Sequence, residues 1–416
     1  MSTLHCSQTT TDLDGKEKAG LLQGLLVAGC QQLLKEARFR VRTNSRERVR
    51  RCRRNLAQDE VRSRWKADPL SPADDHRFVI IGAGAIGGTV GAVLARAAIP
   101  TVLVARGRHA EILAAEGITL KTPDGTFRTA VTTASRPDDV VLTDRDVLVF
   151  ATKTQQLDGA LQEWVDQPVH GRDGGVGTAG ELLPAMTALN GVAAEDKAQR
   201  YFRRVFGICV WLPAVHLEPG EVIVRAWPVV GQFHIARWPA ALRTPEDAEL
   251  LAGLAETWTA AGVRVRTPDD VAPWKYNKLL SNLGNAVGAL TVDAAAEVVT
   301  ALRREGEKVL RQAGIAFISS EVSTATRADG PTIRPVPGSN TGPSNSTWQS
   351  LSRQTGNVET DFLNGEIVRI AHRHGIEAPL NTALARAARA TARNGFGPGR
   401  YSARQLADLV GVDGHE

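Results

Sequence analysis

The sequence predicts an α/β protein, a doubly wound parallel sheet followed by an all-helical C-terminal region, with a basic leader in front. Three observations predict it. Phe78 to Ile81 is an apolar run with the character of a buried parallel strand, and Gly82-Ala-Gly84-Ala85-Ile86-Gly87 then opens a stretch of small and apolar residues, Thr89 to Leu94, of helical character. From Arg77 onward strand and helix signals alternate, which implies a parallel sheet covered on both faces. Past about residue 267 the signals become helical only. A glycine turn of this kind in a strand–turn–helix context points to the Rossmann-type dinucleotide fold, the other reading being a tight structural turn. The expected boundaries are a leader over 1–76, poorly ordered, a Rossmann domain over 77–267 and a helical domain over 268–416.

At 416 residues and 43% hydrophobic content the chain is long enough for two domains with normal cores. Residues 1–76 hold 15 Lys and Arg against 10 Asp and Glu, whereas the whole chain has a net charge of +5, so the body from Arg77 on is balanced. The basic excess belongs to the leader, and the body shows no nucleic-acid signature by net charge. Cys6, Cys30, Cys52 and Cys209 have no metal-ligand or C-x-x-C spacing, which points to free thiols in a reducing cytosol. The nine histidines form no H-E-x-x-H cluster, so no metal is expected.

Within the leader, Ala19 to Leu34 is apolar but short and broken by Gln23, Gln31 and Gln32, and no basic segment precedes it. It is expected to be neither a secretory signal nor a membrane span. Lys35 to Lys66 is arginine-rich and suits a basic helix, either an arm for nucleic acid or acidic partners, or an appended tail or translation from an upstream start, with Ser71 to Asp75 as linker.

In the body, Thr101 to Val104 is the second strand. Ile118 to Lys121 and Phe127 to Thr133 flank Pro123-Asp124-Gly125 as a hairpin. Asp146 to Thr152 and Pro184 to Leu189 are further buried strands, and the glycine-rich stretch 168–180 reads as a surface loop. Pro268, Asp269, Asp270 and Pro273 start a helix that runs to about Leu290. Its apolar stripe is Leu279, Leu283, Ala286, Val287 and Leu290, and Lys278, Asn282 and Asn285 form a polar stripe beside it. Residues 325–347 read as a loop. Two helices follow, Trp348 to His374 with a break at Gly356, and Asn381 to Arg393, with Gly375 as the C-cap between them.

Chemistry follows from these placements. Gly82 permits the tight turn, Gly84 lets backbone approach a pyrophosphate, and Gly87 lets the helix pack on the strand. The helix N-terminus at Ala85 and Ile86 offers free N–H groups to phosphates. An NAD-preferring fold places an acid after the second strand, but here that place holds Arg106, with Arg108 nearby. A guanidinium suits a 2′-phosphate, so NADP is the expected cofactor, the other reading of Arg106 being an ordinary surface arginine. Lys153 and Asn190 stand at the carboxyl edge of the sheet, where cofactors lie; each also has an ordinary reading, as a solvated lysine and a turn residue. A helix that already buries an apolar stripe has little reason for a lysine and two asparagines on the adjoining face unless that face lines something polar, and the alternative by spacing alone is a solvated face. Carbonyl reduction needs a proton donor near the developing alkoxide, and Lys278 can supply the proton and a compensating charge.

The residues resemble the ketopantoate reductase (2-dehydropantoate 2-reductase) family over about 77–395. The matching stretches are Gly82 to Gly87, Arg106, Ala151-Thr-Lys153-Thr-Gln-Gln156, Leu189 to Val192, Trp274-Lys-Tyr-Asn-Lys278 to Asn282, Ser346 to Ser350 and Glu359-Thr-Asp-Phe-Leu-Asn364-Gly365. The resemblance implies NADPH-dependent reduction of a small-molecule 2-oxo acid, ketopantoate to pantoate in pantothenate biosynthesis being the leading case. It implies Lys278 as general acid and Glu359 as the group that positions substrate and cofactor. Asn190, Asn282 and Ser346 then contact the substrate, with Asn285 of the same polar stripe added as a shifted contact, and Arg106, Lys153, Gln156 and Asn190 join the glycine turn around NADPH. The site falls in the cleft between a Rossmann and a helical domain.

Three departures bear on the substrate. Ala286 stands where the family often has asparagine, with Asn285 one residue earlier. The stretch from Ser350 to Glu359 is one residue longer than in well-known members, and Ser350 replaces a common aspartate. The alternatives are a relative that reduces another 2-oxo acid or an opine-like compound, and a non-catalytic NADP-binding regulator that uses the basic leader to reach nucleic acid. No membrane or nucleic-acid partner is expected. The oligomeric state, a homodimer included, and the pKa of Lys278 stay open: burial lowers a lysine pKa and a nearby carboxylate raises it.

Overall fold

The structure, a computed structural model, describes residues 76–412 apart from 172–173, 340–344 and 355. The leader and its linker at Ser71 to Asp75, with their expected disorder, lie outside the described residues.

In chain order the strands are β1 (Arg77–Ile81), β2 (Thr101–Val104), β3 (Ile118–Thr122), β4 (Gly125–Thr129), β5 (Thr132–Ala134), β6 (Leu142–Thr143), β7 (Asp146–Phe150), β8 (Pro168–Gly171), β9 (Gly174–Thr178), β10 (Pro184–Thr187), β11 (Arg204–Trp211), β12 (Ala214–Val215), β13 (Glu221–Val224), β14 (Gly231–Trp238) and β15 (Val263–Arg266). An eight-stranded sheet has the order β15-β14-β11-β10-β7-β1-β2-β5. All its pairings are parallel except β11 with β14. The chain passes from β1 to β2 on one side and later returns to β7 on the other. That reversal opens a crevice outside the carboxyl ends of β1 and β7, where α/β sheets take their ligands.

Between the strands run α1 (Ala85–Arg96), α2 (Gly107–Glu116), α3 (Thr154–Val165), α4 (Ala179–Leu182), α5 (Ala194–Ala198) and α6 (Pro245–Ala260). Alternation along β1 shows that both faces are covered. Phe78 and Ile80 pack with Val93 and Leu94 of α1 and Trp258 of α6, whereas Val79 and Ile81 pack with Leu157, Leu161 and Trp164 of α3. Side chains of this size contribute roughly 1.5–3 kcal/mol each when fully buried, so a continuously apolar strand is what this layer requires.

The helical half is α7 (Ala272–Asn282), α8 (Asn285–Leu290), α9 (Ala296–Gln312), α10 (Ser320–Ala325), α11 (Ser346–Ser352), α12 (Asn364–His374), α13 (Pro379–Arg393) and α14 (Ala403–Val410). The Asp270 carboxylate accepts the Ala272 N–H at 2.8 Å and so starts α7. The apolar stripe is buried throughout, Leu279, Leu283 and Leu290 at 0% exposure, and forms the core with Leu302, Ile367 and Leu384.

Several elements differ from the sequence reading. The helix expected to reach Leu290 is interrupted at Leu283 and Gly284, but both keep right-handed helical angles, so the stripe stays on one side. The helix expected over Trp348 to His374 is two helices with a 3₁₀ turn, Glu359–Phe362, between them. Gln354 and Gly356 have positive φ and end the first. Its start falls before Trp348, because the Asn345 side chain accepts the Trp348 N–H at 2.9 Å. Residues 168–180 are not a loop: β8 and β9 pair antiparallel beside β6. Phe127 to Thr133 divides between two sheets, β4 completing the hairpin with β3 and β5 joining the edge of the main sheet next to β2. Gly375 caps α12 with φ 66°, as expected.

Candidate active site

The glycine turn lies at the carboxyl end of β1. Gly82 has φ 105°, and a Cβ there would meet the Ala151 carbonyl oxygen at 2.9 Å. A Cβ on Gly87 would stand 2.0 Å from the Gly82 carbonyl oxygen, so α1 approaches the strand closely only because that side chain is absent. Gly84 faces open space, nothing lying within 4 Å of its built Cβ. No side chain caps α1, and its first turn has no acid, so the N–H groups at Ala85 and Ile86 point outward unopposed. This cradle fits a pyrophosphate.

His109, which no sequence motif singles out, holds the turn. The Gly220 N–H donates to His109 Nδ1 at 2.8 Å, so the ring proton is on Nε2, which donates to the Ala83 carbonyl at 2.8 Å. Arg106 lies just past β2 at the start of α2, is exposed, and pairs with Glu163 of α3. Side-chain exposures of 69% and 42% make that a surface pair worth at most about 1 kcal/mol, which a phosphate can displace.

A second group forms where the 3₁₀ turn meets the start of α3. Glu359 is buried and accepts the Thr154 N–H at 3.3 Å and the Thr154 hydroxyl at 3.4 Å. It thus caps a helix that has no side-chain cap of its own. Lys153 Nζ donates to Ser350 Oγ at 2.8 Å. Burial pushes the Lys153 pKa below the usual lysine value, and the nearby Glu359 charge works against that shift. Gln155, on the same turn, keeps both amide atoms buried without a partner, whereas Gln156 is exposed. Asn190 is partly buried in the turn after β10, and that turn abuts the same 3₁₀ segment: a Cβ on Gly191 would lie 2.7 Å from the Phe362 carbonyl oxygen.

Lys278 stands on the partly buried face of α7 and projects toward Trp211 at the end of β11, its Nζ 4.6 Å from the indole centroid. Burial lowers its pKa to about 8; Cys209 opposes the shift, and Lys275 and Arg327 add to it. It has no carboxylate partner among the described residues, and no hydrogen bond joins it to Glu359. Asn282 lies one helical turn further on, and its Nδ2 is buried without a partner. Ser346 Oγ, at the start of α11, is likewise buried and unpartnered. Asn285 lies close to it in the fold, its carbonyl accepting from Asn345 Nδ2 at 2.9 Å. Unsatisfied buried polar atoms are costly, about 1–3 kcal/mol each, and a polar ligand offsets that cost.

The structure therefore gathers Lys153, Glu359 and Asn190 at one corner of the sheet edge, and Lys278 at Trp211. Arg106 and Gln156 lie on the surface. Ser350, Thr154, Trp211 and Arg327 were not picked out by sequence as site residues, since each meets its partner only through the fold. Among the described residues no group of His, Cys, Asp or Glu is placed to hold a metal, and no helix is long and apolar enough to cross a membrane.

Comparison with known proteins gives one pattern. Residues 78–239 match the family model described as ketopantoate reductase PanE/ApbA, and residues 270–392 match its C-terminal counterpart. The 2-dehydropantoate 2-reductase of Pyrococcus horikoshii is 27% identical over 318 residues, which cover 74% of this chain and 95% of that protein. The crystal structure of a PanE/ApbA family ketopantoate reductase from Ralstonia eutropha JMP134 superposes with TM-score 0.59 at 25% identity, covering 77% of this chain and 99% of the other. D-mandelate dehydrogenase, solved with NADH and anilino(oxo)acetate, has TM-score 0.60 at 18% identity over 77% of this chain and 99% of its own, a likeness of fold.

Proposed function

Because this chain belongs to the ketopantoate reductase family, we propose that it reduces a 2-oxo acid to the 2-hydroxy acid with NADPH, 2-dehydropantoate (ketopantoate) to pantoate being the leading case. The observation that carries this reading is Lys278, partly buried on α7 with its pKa lowered to about 8 and no carboxylate beside it among the described residues. An acid whose pKa lies near neutral pH is well matched to giving a proton to a carbonyl oxygen as it becomes an alkoxide.

Gly82, Gly84, Ala85, Ile86 and Gly87 form the phosphate cradle, Arg106 takes the 2′-phosphate, and Lys153, Gln156 and Asn190 complete the cofactor set. When bound, NADPH supplies the hydride. Lys278 donates the proton to the substrate's carbonyl oxygen, and its charge offsets the negative charge that builds there. Asn190, Asn282, Asn285 and Ser346 hydrogen-bond the substrate without adding net charge. Glu359 holds the start of α3 and the neighbouring Lys153 in place, and so sets the distance between the two halves of the cleft.

The test is NADPH oxidation measured against a panel of 2-oxo acids across pH. Reduction is expected with at least one of them, kcat/KM staying level at neutral pH and falling as pH rises through about 8, since only the ammonium form can donate. The limb in kcat should lie higher, because a bound carboxylate raises the pKa of Lys278. A panel without turnover sinks the reading, and a flat profile to pH 10 removes Lys278 as the acid.

Cofactor choice is tested at Arg106. Losing a charge-assisted contact costs about 1.5–3 kcal/mol. Arg106→Ala should therefore weaken NADPH binding roughly 10- to 150-fold and leave NADH binding nearly unchanged, as titration by nucleotide fluorescence would show. Equal weakening of both nucleotides places Arg106 away from the 2′-phosphate.

A further inference from the structure

Lys278 is not the only cation at Trp211. The Arg327 guanidinium lies 3.9 Å from the same ring centroid. Arg327 comes from the segment between α10 and α11, which crosses from the helical half onto the edge of the main sheet and is fastened there at several points. Gln232 of β14 donates to the Thr326 carbonyl at 3.0 Å. Asp329 accepts from Arg264 and Arg266 of β15 at 2.8–3.0 Å. Further on, Ile333 bridges to Ala226, and the Arg334 guanidinium donates to the Trp227 carbonyl at 2.9 Å. These ties flank Arg327 on both sides and set its guanidinium over the indole.

Arg327 spends only its Nε on the protein, donating to the Ser323 carbonyl at 3.1 Å. Its two terminal nitrogens make no hydrogen bond or ion pair with a described residue, although the side chain is partly buried. Two cations thus share one aromatic platform with no carboxylate of a described residue between them, an arrangement that repels itself and that an anion would stabilise. A guanidinium offers paired N–H donors matched to a carboxylate, whereas a lysine offers a point charge with a transferable proton.

We propose that Arg327 is the carboxylate anchor of the active site, its paired terminal N–H groups gripping the C1 carboxylate of the substrate while Lys278, at the same indole, faces the carbonyl oxygen. This rests on the 2-oxo acid reading above and adds to it the residue that selects an acid over a neutral carbonyl compound.

The experiment compares wild type, Arg327→Gln and Arg327→Lys in turnover of the best 2-oxo acid and its primary amide, in NADPH affinity, and in calorimetric binding of oxamate, an unreactive 2-oxo acid mimic, and of neutral oxamide. In Arg327→Gln the KM for the acid should rise roughly 10- to 150-fold, the loss expected of a charge-assisted pair. Turnover of the amide, binding of oxamide and binding of NADPH should change less than about 2-fold, because none of them engages that charge. Arg327→Lys should recover part of the acid's affinity. The basic limb of kcat/KM should also move upward in Arg327→Gln, because Cys209 and Trp211 of β11, Lys275 of α7 and Arg327 are what surround the Lys278 ammonium, and one cation has been removed. A merely structural role would damage acid and amide alike and leave that limb in place.

Equal losses on acid and amide, or oxamate bound equally by wild type and Arg327→Gln, would overturn the anchor. Selective loss of oxamate in a protein that reduces no 2-oxo acid would uphold the anchor and overturn the reductase reading.

Discussion

Lys278→Ala is expected to bind NADPH with wild-type affinity and to lose about 10²–10⁴-fold in kcat, the range that a missing general acid costs. Hydride addition places negative charge on an oxygen next to a carboxylate that is already negative, so the site needs a cation that can also part with a proton. Burial lowers the pKa of Lys278 to about 8, which suits the task proposed for it. Lys278→Arg makes the sharper comparison. It restores the charge but not the proton, since a guanidinium stays protonated at any working pH. Substrate binding should return with arginine while kcat stays low. Stopped-flow measurement of a single turnover separates the chemical step from product release. Near-wild-type kcat in Lys278→Ala would assign the proton to another group.

The second large effect concerns stability. Glu195→Ala is expected to cost about 3–5 kcal/mol, because it leaves the Lys275 ammonium buried and unpaired. The two side chains are exposed by only 0% and 1%. Around them the Thr187 hydroxyl donates to Glu195 at 2.6 Å, and Lys275 Nζ also reaches the Leu189 carbonyl at 3.3 Å. This pair pins α7, and with it Lys278 three residues on, to the carboxyl edge of β10 and β11. Against a total stability of about 5–15 kcal/mol, the loss removes much of the margin. Replacing both partners by apolar residues, Glu195→Leu with Lys275→Met, should recover most of it, since it is the lone charge rather than the missing pair that is costly. Urea unfolding followed by tryptophan fluorescence reads both. A single variant within about 1 kcal/mol of wild type would show that water reaches the lysine.

The sequence alone was sufficient wherever a property is local. Gly82 to Gly87 encode a turn through backbone angles and the absence of side chains, and both are read without knowing what lies opposite. The apolar stripe from Leu279 to Leu290 marks a buried helix face whichever helices cover it. The same holds for the apolar strands of the sheet and for the C-cap at Gly375. Elements failed where the local signal is weak: the glycines of 168–180 mask strands held by pairing with β6, and the break after Ser352 depends on left-handed backbone at Gln354 as well as Gly356.

What only the tertiary structure decided are the contacts made across sequence. Lys153 meets Ser350 across 197 residues, and Lys275 meets Glu195 across 80. No periodicity records such a pair, because each end is an ordinary polar residue in its own segment. The pKa of Lys278 is of the same kind. Sequence leaves burial and a neighbouring carboxylate as opposing possibilities. The fold settles the direction by placing the ammonium against Trp211, Lys275 and Arg327, with burial the largest influence and no acid beside it among the described residues. Arg327 itself carries no motif. It reaches Trp211 because Gln232, Arg264 and Arg266, on two strands at the edge of the main sheet, hold the segment that bears it, and that register exists only once the sheet has formed.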